Sequence, residues 1–416
     1  MPKSHTFYIR FLILFFVIGY FIIYLSQPQA ENKRVTWWAT QSIDTVKYSR
    51  DIAREKLKDN SFNPVIDLQV KNIALTGATH IAIGTPYDEE FLPFLKRWVV
   101  AARKYGLNVW FRGNFSGWEK WFDYSSINRA EHIRKTRDFI LKNKDIFLDG
   151  DIFTPCPECE NGGPGDPRQT GDIDGYRKFL IEEYKVTKDA FKKIDKNVTS
   201  NYDSMNGDVA RVVMDKETTR ALDGIVTVDH YVASVDKLIK DIQDFAKTSG
   251  GKIVLGEYGA PIIDLHGDMT PKQQKDYLNT AFLRLAKTPE LIGINYWVNE
   301  GGSTKLWEDG KPREAVGTIT AYYAPKSVSG IVKNEIGQVL TGTLIQTSYR
   351  KSSADNKGRF QLTVLPDDTS VKVSASGYYP KKLPVVQDNS GMQIVLVKQN
   401  EGFFFKLSKF FHQLFK

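Results

Sequence analysis

Cysteine is scarce: the 416-residue chain has two, Cys156 and Cys159, in the order C-P-E-C. A pair cannot close a structural zinc site, which takes about four ligands. In an exported protein two such residues suit a local disulfide. The same spacing occurs in thiol oxidoreductases, where it follows a strand in a small thioredoxin-like unit; this chain does not read that way, although a redox role for the pair stays open. A G-x-G-x-x-G loop is missing after the first apolar strand, which counts against a doubly wound dinucleotide-binding sheet. Runs of Lys and Arg are missing as well. The net charge of +8 is spread along the chain, so no nucleic-acid groove is expected. Neither a metal nor a cofactor is expected.

What is present is globular in composition, at 41% hydrophobic and 25% charged, enough for one large domain and a smaller one. Aromatic residues are plentiful, with 8 Trp and 19 Tyr. They suit a cleft in which sugar C–H faces stack on rings, and equally a plain core.

One long apolar run stands out. Lys3, His5 and Arg10 precede fifteen uncharged residues, 11–25. Counted over 7–26, the segment is long enough to span a bilayer at ~1.5 Å per residue. A cleavable signal peptide is the competing reading, but Pro28-Gln29-Ala30 is a poor cleavage site. The expectation is a signal anchor at 7–26, with residues 1–6 cytoplasmic, a linker at 27–35 and the rest outside the cell. That makes a single-pass cell-membrane protein with its main domain extracellular.

From residue 36 to 323, short apolar runs alternate with amphipathic stretches. Strands are expected near 44–51 and at 79–88, 108–115, 150–158, 197–203, 224–232, about 252–258 and 291–302. Helices are expected near 67–77, 91–106, 129–144, 172–194, after 233 and at about 270–287. Repeated βα units of this size predict an α/β fold, a (β/α)8 TIM barrel. A doubly wound open sheet is the alternative. Residues 325–398 change texture to short β-rich runs with Gly, Asn and Asp between them, which predicts a small all-β sandwich. In the last segment, 401–416, Phe403, Leu407, Phe410, Phe411 and Leu414 form a stripe, with Lys406, Lys409 and Lys416 mostly off it. This reads as a basic amphipathic helix, either on a membrane surface or docked on its own protein.

In a barrel the carboxyl ends of the strands converge on one face. The polar residues expected there are Arg112, Asn114 and Trp118 after the third strand, and Glu158 and Glu160 after the fourth. The fifth offers Asn201 and Asp203, and the sixth Asp229, His230 and Tyr231. Glu257 lies in IVLGEYGAP, where an apolar strand gives way to a turn, and Trp297, Asn299 and Glu300 follow the eighth strand. Two carboxylates facing each other across a cleft are what glycoside hydrolysis requires.

With these residues in place, the chain resembles the clan A glycoside hydrolases, (β/α)8 barrels with an acid/base after strand four and a nucleophile after strand seven. The resemblance implies Glu257 as nucleophile and Glu158, or else Glu160, as acid/base. It implies a carbohydrate substrate held by Arg112, Asn114, Trp118, Asn201, Asp203, His230, Tyr231, Trp297 and Asn299. One departure is plain: that family places Asn directly before the acid/base, whereas Pro157 precedes Glu158 and Cys159 precedes Glu160. A non-catalytic glycan-binding barrel, or a barrel kept as an assembly scaffold, is therefore the competing reading. Residues 325–398 resemble the carboxypeptidase regulatory-like domains through Gly330-Ile331-Val332, Gly337, Gly358-Arg359-Phe360 and Gly377-Tyr378. That resemblance implies an accessory module and no peptidase activity.

Overall fold

The computed structural model of the chain describes residues 36–385 and 390–399. Eight strands, β1 (Thr40–Asp44), β2 (His80–Ile83), β3 (Asn108–Phe111), β4 (Ile152–Phe153), β5 (Ser204–Asn206), β6 (Ile225–Asp229), β7 (Lys252–Tyr258) and β8 (Leu291–Tyr296), form one sheet. Its order is β4-β3-β2-β1-β8-β7-β6-β5 and its pairings are parallel. The two ends meet where Ile152 bridges Thr199, just ahead of β5. There the Phe153 N–H donates to Thr199 O at 2.8 Å and the Thr199 N–H to Asp151 O at 2.9 Å. The sheet is thus curled into a ring.

The helices longer than one turn lie between and after the strands. They are α1 (Asn63–Leu75), α2 (Leu92–Lys104), α3 (Arg129–Lys142), α4 (Ile173–Lys193), α5 (Gly207–Val213), α6 (Lys216–Ala221), α7 (Val235–Ser249), α8 (Pro271–Ala286) and α9 (Ala315–Tyr323). Helix α7 shows why such segments are helical. Ser234 caps its start by accepting from the Lys237 N–H, Gly250 ends it with φ 73°, and Leu238, Ile239, Ile242 and Phe245 line one buried face.

Side chains, not solvent, fill the ring. Ala82, Trp110, Ile152, Tyr202 and Val254 pack together inside it. On every second position toward the carboxyl ends the interior becomes polar, as in Thr40, Ser42 and Asp44 of β1. The rest of the barrel core lies between the sheet and its helices and is rich in aromatics, including Phe94, Trp98, Phe111, Phe147 and Phe153.

Several strand positions differ from expectation. The first strand is Thr40–Asp44, not 44–51. The Asp44 carboxylate accepts from the Val46 N–H at 2.7 Å and turns the chain into a helical turn at Val46–Ser49. The fourth strand keeps only Ile152–Phe153, because the C-P-E-C turn follows at once. In 197–203 only Thr199 bridges, and the regular strand begins at Ser204.

After β8, the hairpin β9 (Trp307–Glu308) and β10 (Lys311–Pro312) leads into α9. Then come β11 (Ser327–Asn334), β12 (Leu344–Gln346), β13 (Lys351–Ser353), β14 (Arg359–Thr363), β15 (Ser370–Ser374), β16 (Lys381–Pro384) and β17 (Met392–Leu396). They make two small sheets, β14-β11-β17 and β13-β12-β15-β16, around a core that includes Val332, Ile345, Phe360, Val373 and Ile394. Alternating burial in β11 and β15 matches sheets with one face inward and one in water. This β unit sits against the amino-terminal pole of the barrel. Arg350 stacks 4.1 Å from the Trp37 ring and Lys287 pairs with Asp367 at 2.5 Å. The expected anchor at 7–26 and the amphipathic helix at 401–416 lie outside the described residues. Among the described residues no helix is long and apolar enough to cross a membrane.

Candidate active site

The carboxyl ends of the strands build a charged layer around Arg112. The Arg112 side chain is 3% exposed and follows β3 by one residue, pointing inward like Trp110 two positions before it. Its Nη2 donates to Asp229 Oδ2 at 3.0 Å, Glu257 Oε1 at 3.2 Å and Ser204 Oγ at 3.2 Å. Its Nη1 faces Asp44 Oδ2 at 3.5 Å and donates to Gly256 O. Asn295 completes the layer by donating to Asp44 Oδ2 at 3.0 Å and Gly256 O at 2.9 Å. One buried cation therefore serves three carboxylates drawn from three strands.

Gly256 makes room for this layer. A Cβ there would lie 2.4 Å from Asp229 Oδ1 and 2.8 Å from Ser204 Cβ. It is also where the register of β7 slips: Leu255 pairs with Val228, but Glu257 pairs with Asp229. A bulge of this kind re-aims the next side chain. Here it brings Glu257 to the Arg112 layer, although Gly256 already points inward. Glu257 Oε2 accepts from the Tyr231 hydroxyl at 3.0 Å. Burial pushes the Glu257 carboxyl up to about 7; Arg112 pulls it down, and the Glu158 charge raises it again. Asp229 is held well above the usual carboxylate range, first by burial and against the pull of Arg112.

Across from Glu257, the loop after β4 carries Glu158 and Glu160. They have different surroundings. Glu160 is 2% exposed and consumed by hydrogen bonds: from the Asn206 N–H at 2.6 Å, Asn206 Nδ2 at 3.0 Å and the Tyr176 hydroxyl at 3.3 Å. Glu158 is half-buried, and its charge acts on Arg112, Glu257 and Glu119 together. Of the two, Glu158 is the one whose charge raises the Glu257 carboxyl.

Tyr231, which holds Glu257, stands beside Trp297 with ring centroids 6.2 Å apart; both are half-buried, and Lys47 Nζ lies 5.8 Å from the Trp297 ring. Asn114 points toward the Glu158 loop. Its Nδ2 donates to Glu119 Oε1 at 3.1 Å, while its Oδ1 takes a hydrogen bond from His132 Nε2 at 2.9 Å.

Other expected residues turn away. His230 Nε2 meets Asp241 of α7 at 2.9 Å and its ring packs edge-on against Phe245. Trp118 is 2% exposed, stacked on Phe179 and so closely covered by Gly163 that a Cβ there would lie 2.1 Å from its ring. Asn201 Nδ2 donates to Leu222 O, and Asp203 is buried near Glu183. Asn299 and Glu300 are tied to Gln69 of α1, at 2.9 and 3.1 Å.

Three residues of the layer, Asp44, Ser204 and Asn295, and Glu119 beside Asn114 carried no site expectation. Polar residues at alternate positions of a parallel strand, as in TQSID, were the available signal, since such strands are normally apolar on both faces. Glu119 gave none. Burial in the loop after β3 pushes its carboxyl up to about 8, against the Asn114 hydrogen bond. Among the described residues, no group of three or more His, Cys, Asp or Glu is arranged to hold a metal ion.

No family model matches the chain, and no curated protein matches it. Solved structures do. A GH5_18 protein from Streptomyces cattleya, in complex with Manβ1-4GlcNAc, superposes with a TM-score of 0.51 at 11% identity, over 71% of this chain and 85% of that one. A GH5_18 from Bifidobacterium longum subsp. infantis gives 0.47 at 14% identity, over 73% and 87%. A GH113 β-1,4-mannanase gives 0.46 at 13%, over 70% of this chain and 100% of that one. At 11% identity the likeness to the Streptomyces cattleya protein is one of fold, a (β/α)8 barrel.

Proposed function

We propose that the barrel is a retaining glycoside hydrolase that acts on a poly- or oligosaccharide. The observation that carries this reading is the pair of carboxylates, Glu257 at the carboxyl end of β7 and Glu158 in the loop after β4, with Glu257 held by Arg112 and Tyr231. In the first step Glu257 attacks the anomeric carbon while Glu158 gives its proton to the departing glycosidic oxygen. In the second, Glu158 takes a proton from water as the water displaces Glu257. Tyr231 and Trp297 would wall the sugar, and Arg112 keeps the nucleophile oriented. Carboxyl groups about 5–5.5 Å apart fit this course. A fold shared with glycoside hydrolases of known structure supports the reading and does not carry it.

The deciding experiment is mass spectrometry after treatment with a fluorosugar inactivator: a covalent label on Glu257 is expected. Glu257→Ala should abolish turnover and keep sugar binding; surviving activity would remove Glu257 from the role. Pro157, where the family has Asn, favours a non-catalytic glycan-binding barrel as the second reading, and an unlabelled protein that still binds sugar would establish it. The two-part arrangement of barrel (36–323) and regulatory-like module (325–398), the membrane anchor and the extracellular location belong to the same proposal.

A further inference from the structure

Cys156 and Cys159 are joined by a disulfide, and Glu158 lies inside the bridge. The Cα atoms of the cysteines are 5.1 Å apart, so the bridge closes a four-residue turn. Within it Glu158 has φ 48°. A non-glycine residue in that region costs roughly 1–3 kcal/mol and stays there only when its surroundings hold it. Regular structure does not supply the hold, because β4 stops at Phe153 and no helix or strand occurs from 154 to 166.

The hold comes from the bridge and its contacts. The Glu158 N–H donates to Ser204 O at 2.8 Å, and the Asn161 N–H donates to Glu158 O at 2.8 Å. Trp118 Nε1 donates to Cys159 O at 3.0 Å, and Asn114 Nδ2 lies 3.6 Å from Cys156 Sγ. Both cysteines are 2% exposed. Ser204 ties the two halves of the site together: its carbonyl holds Glu158, and its hydroxyl accepts from the same Arg112 nitrogen that holds Glu257. Trp118 and Asn114, expected at the sugar, are thus in contact with the bridge.

We propose that the Cys156–Cys159 bridge is the positioning device for Glu158, so that opening it disables proton transfer and leaves the Glu257 half of the site in place. This rests on the two-carboxylate reading above. The cysteines touch no substrate and act through Glu158. Opening by a dithiol balances simply. A thiolate attacks one sulfur, the S–S bond breaks through a mixed disulfide, the bridge gains two electrons and two protons, and the dithiol closes to its own disulfide.

The test compares the parent, the parent reduced with dithiothreitol, the Cys156→Ser/Cys159→Ser double variant and Glu158→Gln. Each is assayed on aryl glycosides of graded leaving-group acidity, with amide hydrogen exchange followed over 154–166. A dinitrophenolate leaves without a proton; an alkoxide does not. Opening the bridge should lower kcat/KM on poor leaving groups by about 10- to 100-fold, with dinitrophenyl glycosides changing by less than about 3-fold. Glu158→Gln should show the same selectivity. The 154–166 amides should exchange faster in both opened forms, while Trp fluorescence confirms that the barrel is folded. Equal losses on both substrate classes, or none on either, overturn the proposal. So does amide exchange that ignores the bridge. If the parent turns over no glycoside and Glu257 takes no label, the glycosidase reading fails by itself. Exchange then decides the bridge alone: faster exchange supports its hold on Glu158 and unchanged protection refutes it.

Discussion

Replacing Arg112 with Met is the most direct test of the charged layer, and it needs no substrate. The side chain is 3% exposed, and its carboxylate partners Asp44, Asp229 and Glu257 are 3, 1 and 19% exposed. Met keeps most of the volume and removes the charge. Three carboxylates then remain with no cation in contact. Breaking a buried pair by removing one partner costs about 3–5 kcal/mol, a large part of a typical total stability of about 5–15 kcal/mol. The sign with pH follows. Without Arg112, the Asp229 and Glu257 carboxyls, already raised, move further up. A raised carboxyl holds a proton in the folded state that the unfolded chain releases, so stability falls as pH rises from about 4 upward. Each further unit costs about 1.4 kcal/mol. The deficit relative to the parent should therefore be large at pH 8 and smaller at pH 5. Asp229→Asn in the same chain should recover about 1–3 kcal/mol at pH 8 as a coupling energy. Urea denaturation read by Trp fluorescence suits this measurement, because all eight Trp lie between residues 37 and 307, within the barrel and its closing hairpin. A variant within about 1 kcal/mol of the parent at pH 8, with no change at pH 5, would refute the idea that Arg112 holds the layer together.

Two further outcomes are expected. His80 is buried between Thr79 Oγ1 at 2.7 Å and Gly150 O at 3.0 Å, and burial lowers its pKa to about 4. Its contribution is present above the unfolded value of about 6.5 and is lost as pH falls toward 4, about 2 kcal/mol by pH 5. The stability gap between the parent and His80→Gln should narrow by that amount from pH 7.5 to pH 5. Gly113→Ala would place a Cβ 2.1 Å from Thr85 O and 2.8 Å from the Tyr87 ring. A loss of about 2 kcal/mol or more is expected in thermal unfolding; on the proposed glycosidase reading turnover should weaken as well, because Arg112 and Asn114 flank the displaced backbone.

Much of the architecture could be read from periodicity alone. Apolar runs such as Ile253-Val254-Leu255 and amphipathic runs such as 235–249 have no other economical arrangement than βα units. That Glu257, Tyr231 and Trp297 lie on one face was legible because each stands at or just past the end of an apolar strand. The Arg112 layer was only partly legible. Asp229 and Arg112 lie at strand ends, but Asp44, Ser204 and Asn295 reach them only through the inward alternation of their strands. That alternation depends on register, and a slip of one residue reverses it. The bulge at Gly256 is such a slip, and its local mark is the lone glycine inside the strand. His230 shows the opposite failure. Its neighbour Tyr231 meets Glu257, yet one position along the chain aims His230 at Asp241 on α7. Trp118 was misplaced for a different reason, since an aromatic in a loop reads alike whether it faces sugar or packs on Phe179.

The ring also sets a timetable. Strand β1 pairs with β8, and the Tyr323 hydroxyl at the end of α9 donates to Ser42 O across 281 residues of chain. A ribosome adding about 5–20 residues per second takes roughly 15–60 s to make that distance. Throughout that interval one edge of β1 has no partner, the sort of edge that invites pairing with another chain. Arg112 is made early, but Asp229, Glu257 and Asn295 come only with later strands, so the charges that need one another are the last to meet. No shortened barrel can hold this site, and the nascent chain presents its bare strand edge to chaperones for the better part of its synthesis.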